Sequence, residues 1–209
     1  MDVTQLVLSG NTKGLESALR DKPSLANEEL PLPDNPATAH PLHRLCDGVF
    51  NGIYSEEKAI EFARIFLAHG AELNSPRFAG KDSPLTAACS LNCDQLALFY
   101  IDNGADINHR GCHGGTALHW ASWCGRDVIV RKLVTLVPDI NILCVDFKST
   151  PLFWALHGYR SGKDNRHHQV ECARILLANG ADRSIPNFEG YLPIQLAGKE
   201  DHELKALLQ

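Results

Sequence analysis

Apolar residues recur along this chain in short blocks with the period of an α-helix. Phe62, Ile65 and Phe66 fall on one helical face, as do Leu96, Phe99 and Tyr100, then Ile129, Leu133 and Val134, then Ala173, Leu176 and Leu177. Residues three and four apart share a face of a 3.6-residue helix, so each block predicts an amphipathic helix. A second kind of block recurs between them: HPLHRLC from His40, SPLTAAC from Ser83, TALHWAS from Thr116, TPLFWAL from Thr150 and LPIQLAG from Leu192. Proline in the first helical turn loses no hydrogen bond, because that N–H has no helical partner anyway. Ser83, Thr116 and Thr150 stand where a side-chain oxygen can accept from the exposed amides of that turn.

Each unit closes with a further string: HGAELN from His69, NGADIN from Asn103, LVPDIN from Leu136 and NGADRS from Asn179, with a weaker copy, DKPSLAN, from Asp21. The spacing is regular. Pro84 to Ala117 is 33 residues, Ala117 to Pro151 is 34, and Gly70 to Gly104 is 34. A fixed period of this size is the signature of a repeat protein. Gly70, Gly104 and Gly180 fall where a left-handed helix cap is wanted. Val137 and Pro138 replace Gly-Ala in one unit, which predicts an altered turn there.

On these residues the chain resembles the ankyrin-repeat family, most closely in TALHWASWCG followed by VPDIN and in the unbroken stretch from SPLTAAC to NGADIN. The resemblance implies an all-α solenoid of helix–turn–helix units joined by β-turn fingers, with the first helix of each unit on the concave side. It divides the chain into about six units (1–30, 36–74, 78–108, 111–141, 145–184 and 187–209) within a single domain, the end units being degenerate caps. It also implies a structural role for His43 and His119, which would bond between neighbouring turns, a bond lost where Thr86 and Phe153 stand instead.

Two units are longer than the rest. Pro41 to Gly70 and Pro151 to Gly180 each span 29 residues, against 20 between Pro84 and Gly104. The additions are VFNGIYSEEK (residues 49–58) and GYRSGKDNRHHQ (residues 158–169). They either lengthen the helices or project as loops, and their Gly, Ser and Asn content favours irregular loops. ANEELPLPDNPATAH (residues 26–40) holds three prolines and reads as a long surface loop that replaces the first finger.

Composition narrows the function classes. The 209 residues are 44% hydrophobic and 22% charged, as in an ordinary globular protein. A net charge of -5 argues against general nucleic-acid binding. No apolar run has the roughly 18 residues of a membrane helix. The N-terminus does not read as a signal peptide. Seven scattered cysteines predict reduced thiols and a cytoplasmic location. Cys89, Cys93, Cys112, His113 and Cys124 lack metal-ligand spacing, and no nucleophile or phosphate-loop motif stands out, so no cofactor, metal or catalytic residue is assigned.

The expected function is therefore a non-enzymatic interaction module. Its partner is a protein or peptide, and the chain is a monomer or self-associates weakly. Trp120 and Trp154 hold the same repeat position, followed three residues on by Trp123 and His157, so these four share the inner helix face. Trp120 and Trp154 could equally fill the stack. The finger tips add Arg77, Phe78, His109, Arg110, His113, Phe147 and Phe188; the three phenylalanines either form an exposed stripe or fold back onto the next finger. A structural or oligomerising protein is the alternative. An enzyme with a cleft around His157, Asp164 or His113, and a small-ligand site between the insertions, rank lower.

Overall fold

The computed structural model describes residues 2–32, 35–162 and 166–209, which form two compact units: residues 1–78 with 83–106, and residues 79–82 with 107–209. Each unit is a stretch of all-α repeat solenoid in which helix pairs stack. The first unit contains α1 (Val3–Leu8), α2 (Thr12–Asp21), α3 (Pro41–Phe50), α4 (Glu56–Ala68), α5 (Pro84–Ser90) and α6 (Asp94–Asp102). There α3 packs on α5, and α4 packs on both α2 and α6. The second unit contains α7 (Ala117–Trp123), α8 (Asp127–Leu133), α9 (Pro151–Ser161), α10 (Arg166–Ala178) and α11 (His202–Leu208), with a 3-10 turn at Pro193–Leu196. There α7 packs on α9, and α8 packs on α10. None of these helices is long and apolar enough to cross a membrane.

The predicted apolar faces form the core. Phe62, Phe66, Leu96, Tyr100, Ile129, Leu133, Ala173 and Leu176 are all buried. Two of the predicted caps work as expected: Ser83 Oγ accepts from the Thr86 amide at 3.2 Å and Thr150 Oγ1 from the Phe153 amide at 3.2 Å, whereas Thr116 Oγ1 pairs with His119 Nδ1 at 3.0 Å. Gly70, Gly104 and Gly180 adopt φ of 87°, 83° and 92°, the left-handed cap that an L side chain would strain. Val137 cannot follow them. α8 ends after seven residues, and the amides of Leu136 and Val137 both return to the Leu133 carbonyl at 2.9 Å.

An asparagine clamp ties three of the fingers to the following repeat inside a unit. Asn74 donates to the Gly104 carbonyl (2.8 Å) and accepts from the Asp106 amide (2.7 Å). Asn141 does the same to Gly180 and Asp182. Asn27, the last residue of the weak copy DKPSLAN, does it to Gly70 and Glu72. The clamp shows that the chain before His40 carries a repeat's geometry despite its divergent sequence.

Two expectations need correction. Residues 26–40 are not an irregular loop. After a 3-10 turn at Pro23–Asn27, an antiparallel hairpin forms from β1 (Leu30–Leu32) and β2 (Asn35–Ala39), pairing Leu30 with Ala39 and Pro31 with Thr38. Arg44 makes the hairpin stable: its guanidinium donates to the Leu30 carbonyl (2.9 Å) and the Ala37 carbonyl (2.7 Å), and pairs with Asp47 (2.6 Å). Nor are the two insertions mainly loops. α3 and α4 are three and four residues longer than α5 and α6, and α9 and α10 are four residues longer each, which absorbs most of both additions. Continuing a helix satisfies the new backbone groups, and within the second addition it buries Gln169. Residues 163–165, and with them Asp164, lie outside the described residues.

Candidate functional site

The second unit holds a groove of about 730 Å³ walled largely by aromatic rings. Three elements build it. α7 contributes Trp120 and Trp123, α9 contributes Phe153, Trp154, His157 and Arg160, and the fingers bring His113, Phe147, Phe188 and Glu189, with Tyr191 just beyond. The repeat explains the convergence. Trp120 and Trp154 occupy one position of successive first helices, so packing α7 on α9 sets their rings together. Their centroids are 5.2 Å apart at 84°, an edge-to-face pair. Trp123 meets Trp154 edge-on at 5.6 Å and stacks on His157 at 4.6 Å and 26°.

Close approach of the two helices depends on Gly158. A Cβ built there would collide with the carbonyl group and Cα of Trp123. Those are backbone atoms, which cannot swing aside as a side chain can. The rim is fixed by the fingers. His113 sits at φ 57°, its carbonyl accepts from the amides of Val145 and Asp146, and its Nδ1 lies 3.0 Å from Asp146 Oδ2. Its ring faces Phe147 at 5.1 Å. The Phe188 amide donates to the Phe147 carbonyl at 2.9 Å, which joins two fingers.

His119, behind the groove, is a structural residue. Nδ1 accepts from the Thr116 amide at 3.1 Å, which leaves Nε2 to donate to the Ser149 carbonyl at 3.1 Å. Burial pushes its pKa down to about 4. His157 is exposed at the groove wall. Burial of part of its ring, then the nearby Arg160 charge, lower its pKa, so it is neutral at pH 7. The N–H of Trp120 is occluded and has no hydrogen-bond partner among the described residues.

The structure brings His113, Trp120, Trp123, Phe147, Trp154, His157 and Phe188 together and sets four other candidates apart. Phe188 is 60% exposed and Phe147 38%, whereas Trp154 is only 3% exposed, so Trp154 supports the groove floor and offers a partner little surface. Phe78 is also buried: it does not join an exposed stripe but meets His40 edge-on at 5.3 Å inside the first unit. Arg77 binds the Asn27 carbonyl in that same unit. His109 and Arg110 are tied to finger carbonyls, His109 to Lys81 and Arg110 to Gly114 and Leu143. Arg160, Glu189 and Tyr191 join the lining beyond the residues that the sequence pattern predicts. Arg160 lies three residues after His157, the spacing that links Trp120 to Trp123, but a loop over residues 158–169 would not place it on that face.

All seven cysteines are free thiols, five of them buried. Among the described residues no group of three or more His, Cys, Asp or Glu is placed to hold a metal ion.

A family profile described as "Ankyrin repeats (3 copies)" matches residues 53–146. Those residues are an ankyrin-repeat region. The helix pairs and clamps outside that span are consistent with further repeats. Among individual proteins, the chain is 30% identical over 126 residues to Palmitoyltransferase AKR1 of Lachancea kluyveri, covering 57% of this chain and 16% of that protein. It is 29% identical over 133 residues to the Probable E3 ubiquitin-protein ligase XBOS32 of Oryza sativa subsp. japonica, covering 62% of this chain and 24% of that one. It is 27% identical over 136 residues to Neurogenic locus notch homolog protein 1 of Xenopus tropicalis, covering 65% of this chain and 5% of the relative. The chain thus spans less than a quarter of the length of these relatives.

Proposed function

We propose that this chain is a non-enzymatic, cytoplasmic protein-interaction module, a single array of about six repeats that binds a partner protein through the aromatic groove of its second unit. One observation carries the reading: Trp120, Trp123, Phe147 and Phe188 line one concavity and keep part of their surface open, although 68 residues of sequence separate Trp120 from Phe188. Partly exposed tryptophan and phenylalanine on a rigid wall are the side chains that dominate binding energy at protein interfaces. The groove is preorganised by helix packing and finger bonds, so little order has to be gained on binding. The relatives support a binding role over a shared chemistry. Two of them are named for different enzyme activities and the third for none, and the stretch that matches this chain is a minor part of each.

Affinity capture from the native cell tests the proposal, comparing the natural chain with a Trp123→Ala, Phe147→Ala double variant. Circular dichroism confirms in parallel that the variant is folded. Loss of specific partners in the folded variant supports the groove. An unchanged set of partners removes it.

A further inference from the structure

The groove has a polarity of charge. Its finger end carries the Glu189 carboxylate, beside Phe188. Its other end carries the Arg160 guanidinium, in the last turn of α9, where a cation also suits the helix dipole. Neither makes an ion pair among the described residues, while the other acid at the finger end, Asp146, is held by His113. Between the two charges the wall is aromatic and His157 is uncharged. α9 begins at Pro151, directly after the finger that holds Phe147, and carries Arg160 about 13 Å further along its axis, away from the fingers.

From this we infer that the groove takes an extended segment of a partner protein with a basic side chain at one end, large apolar side chains in the middle, and an acidic side chain at the other end. The apolar residues lie against Trp120, Trp123 and Phe147. The base meets Glu189, and the acid meets Arg160. Two unpaired charges of opposite sign select for charge order and reject a segment with like charges at both ends, since each mismatch leaves a desolvated like-charge contact. The inference rests on the groove being the partner site.

Panning a library of random seven-residue peptides displayed on phage tests it, with the purified full chain, its Arg160→Glu variant and its Trp123→Ala variant as targets. The natural chain is expected to enrich peptides with a base and an acid on opposite sides of an apolar centre. Arg160→Glu is expected to replace the acid by a base, and to bind the original peptides about tenfold more weakly. Trp123→Ala is expected to lose the enrichment. Apolar enrichment that depends on Trp123 but ignores the charge at position 160 overturns the charge selection and leaves the groove standing. No enrichment, or enrichment indifferent to Trp123→Ala, overturns both.

Discussion

Four residues after each first-helix cap, the two units carry different chemistry on the same scaffold. In the first unit the position is Arg44 in α3, with Asp47 one turn later, and Ala87 in α5; in the second it is Trp120 with Trp123, and Trp154 with His157. Arg44 and Asp47 form a partly buried ion pair, and Arg44 reaches up to hold the β1–β2 hairpin over the helices. The first unit therefore covers its own inner face near α3. The tryptophans do the opposite. They pack on each other edge-on and leave part of their rings at the wall of an open groove. Repeat geometry fixes where these side chains point, and their identity decides whether the face is closed by the chain itself or left for another molecule.

Substitutions at these positions should separate the units. The largest effect is expected from Trp154→Ala, which removes the groove floor and should destabilise the second unit by about 4 kcal/mol. Urea unfolding followed by hydrogen exchange should show protection lost in α7–α10 and kept in α3–α6. Arg44→Ala is the counterpart. It leaves two hairpin carbonyls and Asp47 without their partner, at a cost of about 3 kcal/mol, and amide exchange at residues 30–39 should accelerate. Equal loss of protection in both units from either variant would dissolve the comparison.

Gly158→Ala should cost about 2 kcal/mol, because a methyl group there has to push α9 away from the backbone of Trp123. The same change should weaken any ligand that spans Trp123 and His157. Acid should act on both units. His40 in the first and His119 in the second are held neutral by burial, each with a pKa near 4 against 6.5. On acidification the unfolded chain takes up these protons first. Stability should therefore be complete above about pH 6.5 and fall towards pH 4, by up to about 3 kcal/mol for each histidine. Denaturant midpoints across that range check the slope, and His119→Gln should remove the second unit's share. The smallest effect is expected from the clamps: Asn74→Ala should cost about 1–2 kcal/mol and Asn141→Ala somewhat less, since the Asn141 bond to the Gly180 carbonyl is longer, 3.4 Å against 2.8 Å.

Much of this architecture is legible in the sequence. The helix faces, the Ser83 and Thr150 caps and the glycine caps follow from local rules that tertiary packing does not override. The altered turn at Val137 was legible for the same reason. The hairpin was not, because nothing local in ANEELPLPDNPATAH announces that Arg44 will bind the Leu30 and Ala37 carbonyls. The insertions are less legible: the Gly, Ser and Asn content of residues 49–58 and 158–169 points to loops, yet Gly158 is a helical position where the backbone of Trp123 comes too close for a side chain. Arg160 lies on that same helix. For the candidate site, period alone brought Trp120, Trp123, Trp154 and His157 together. Whether a ring is open or buried depends on the next layer, and so Phe78 and Trp154 turned inward while Phe147 and Phe188 did not.

All three tryptophans of the chain line the groove. Their emission therefore reports on this surface and on no other. A peptide selected on the natural chain should shift the tryptophan emission on titration and protect it from iodide quenching, with both effects absent in Trp123→Ala. A peptide that binds with emission and quenching unchanged would place the partner surface elsewhere and contradict the account.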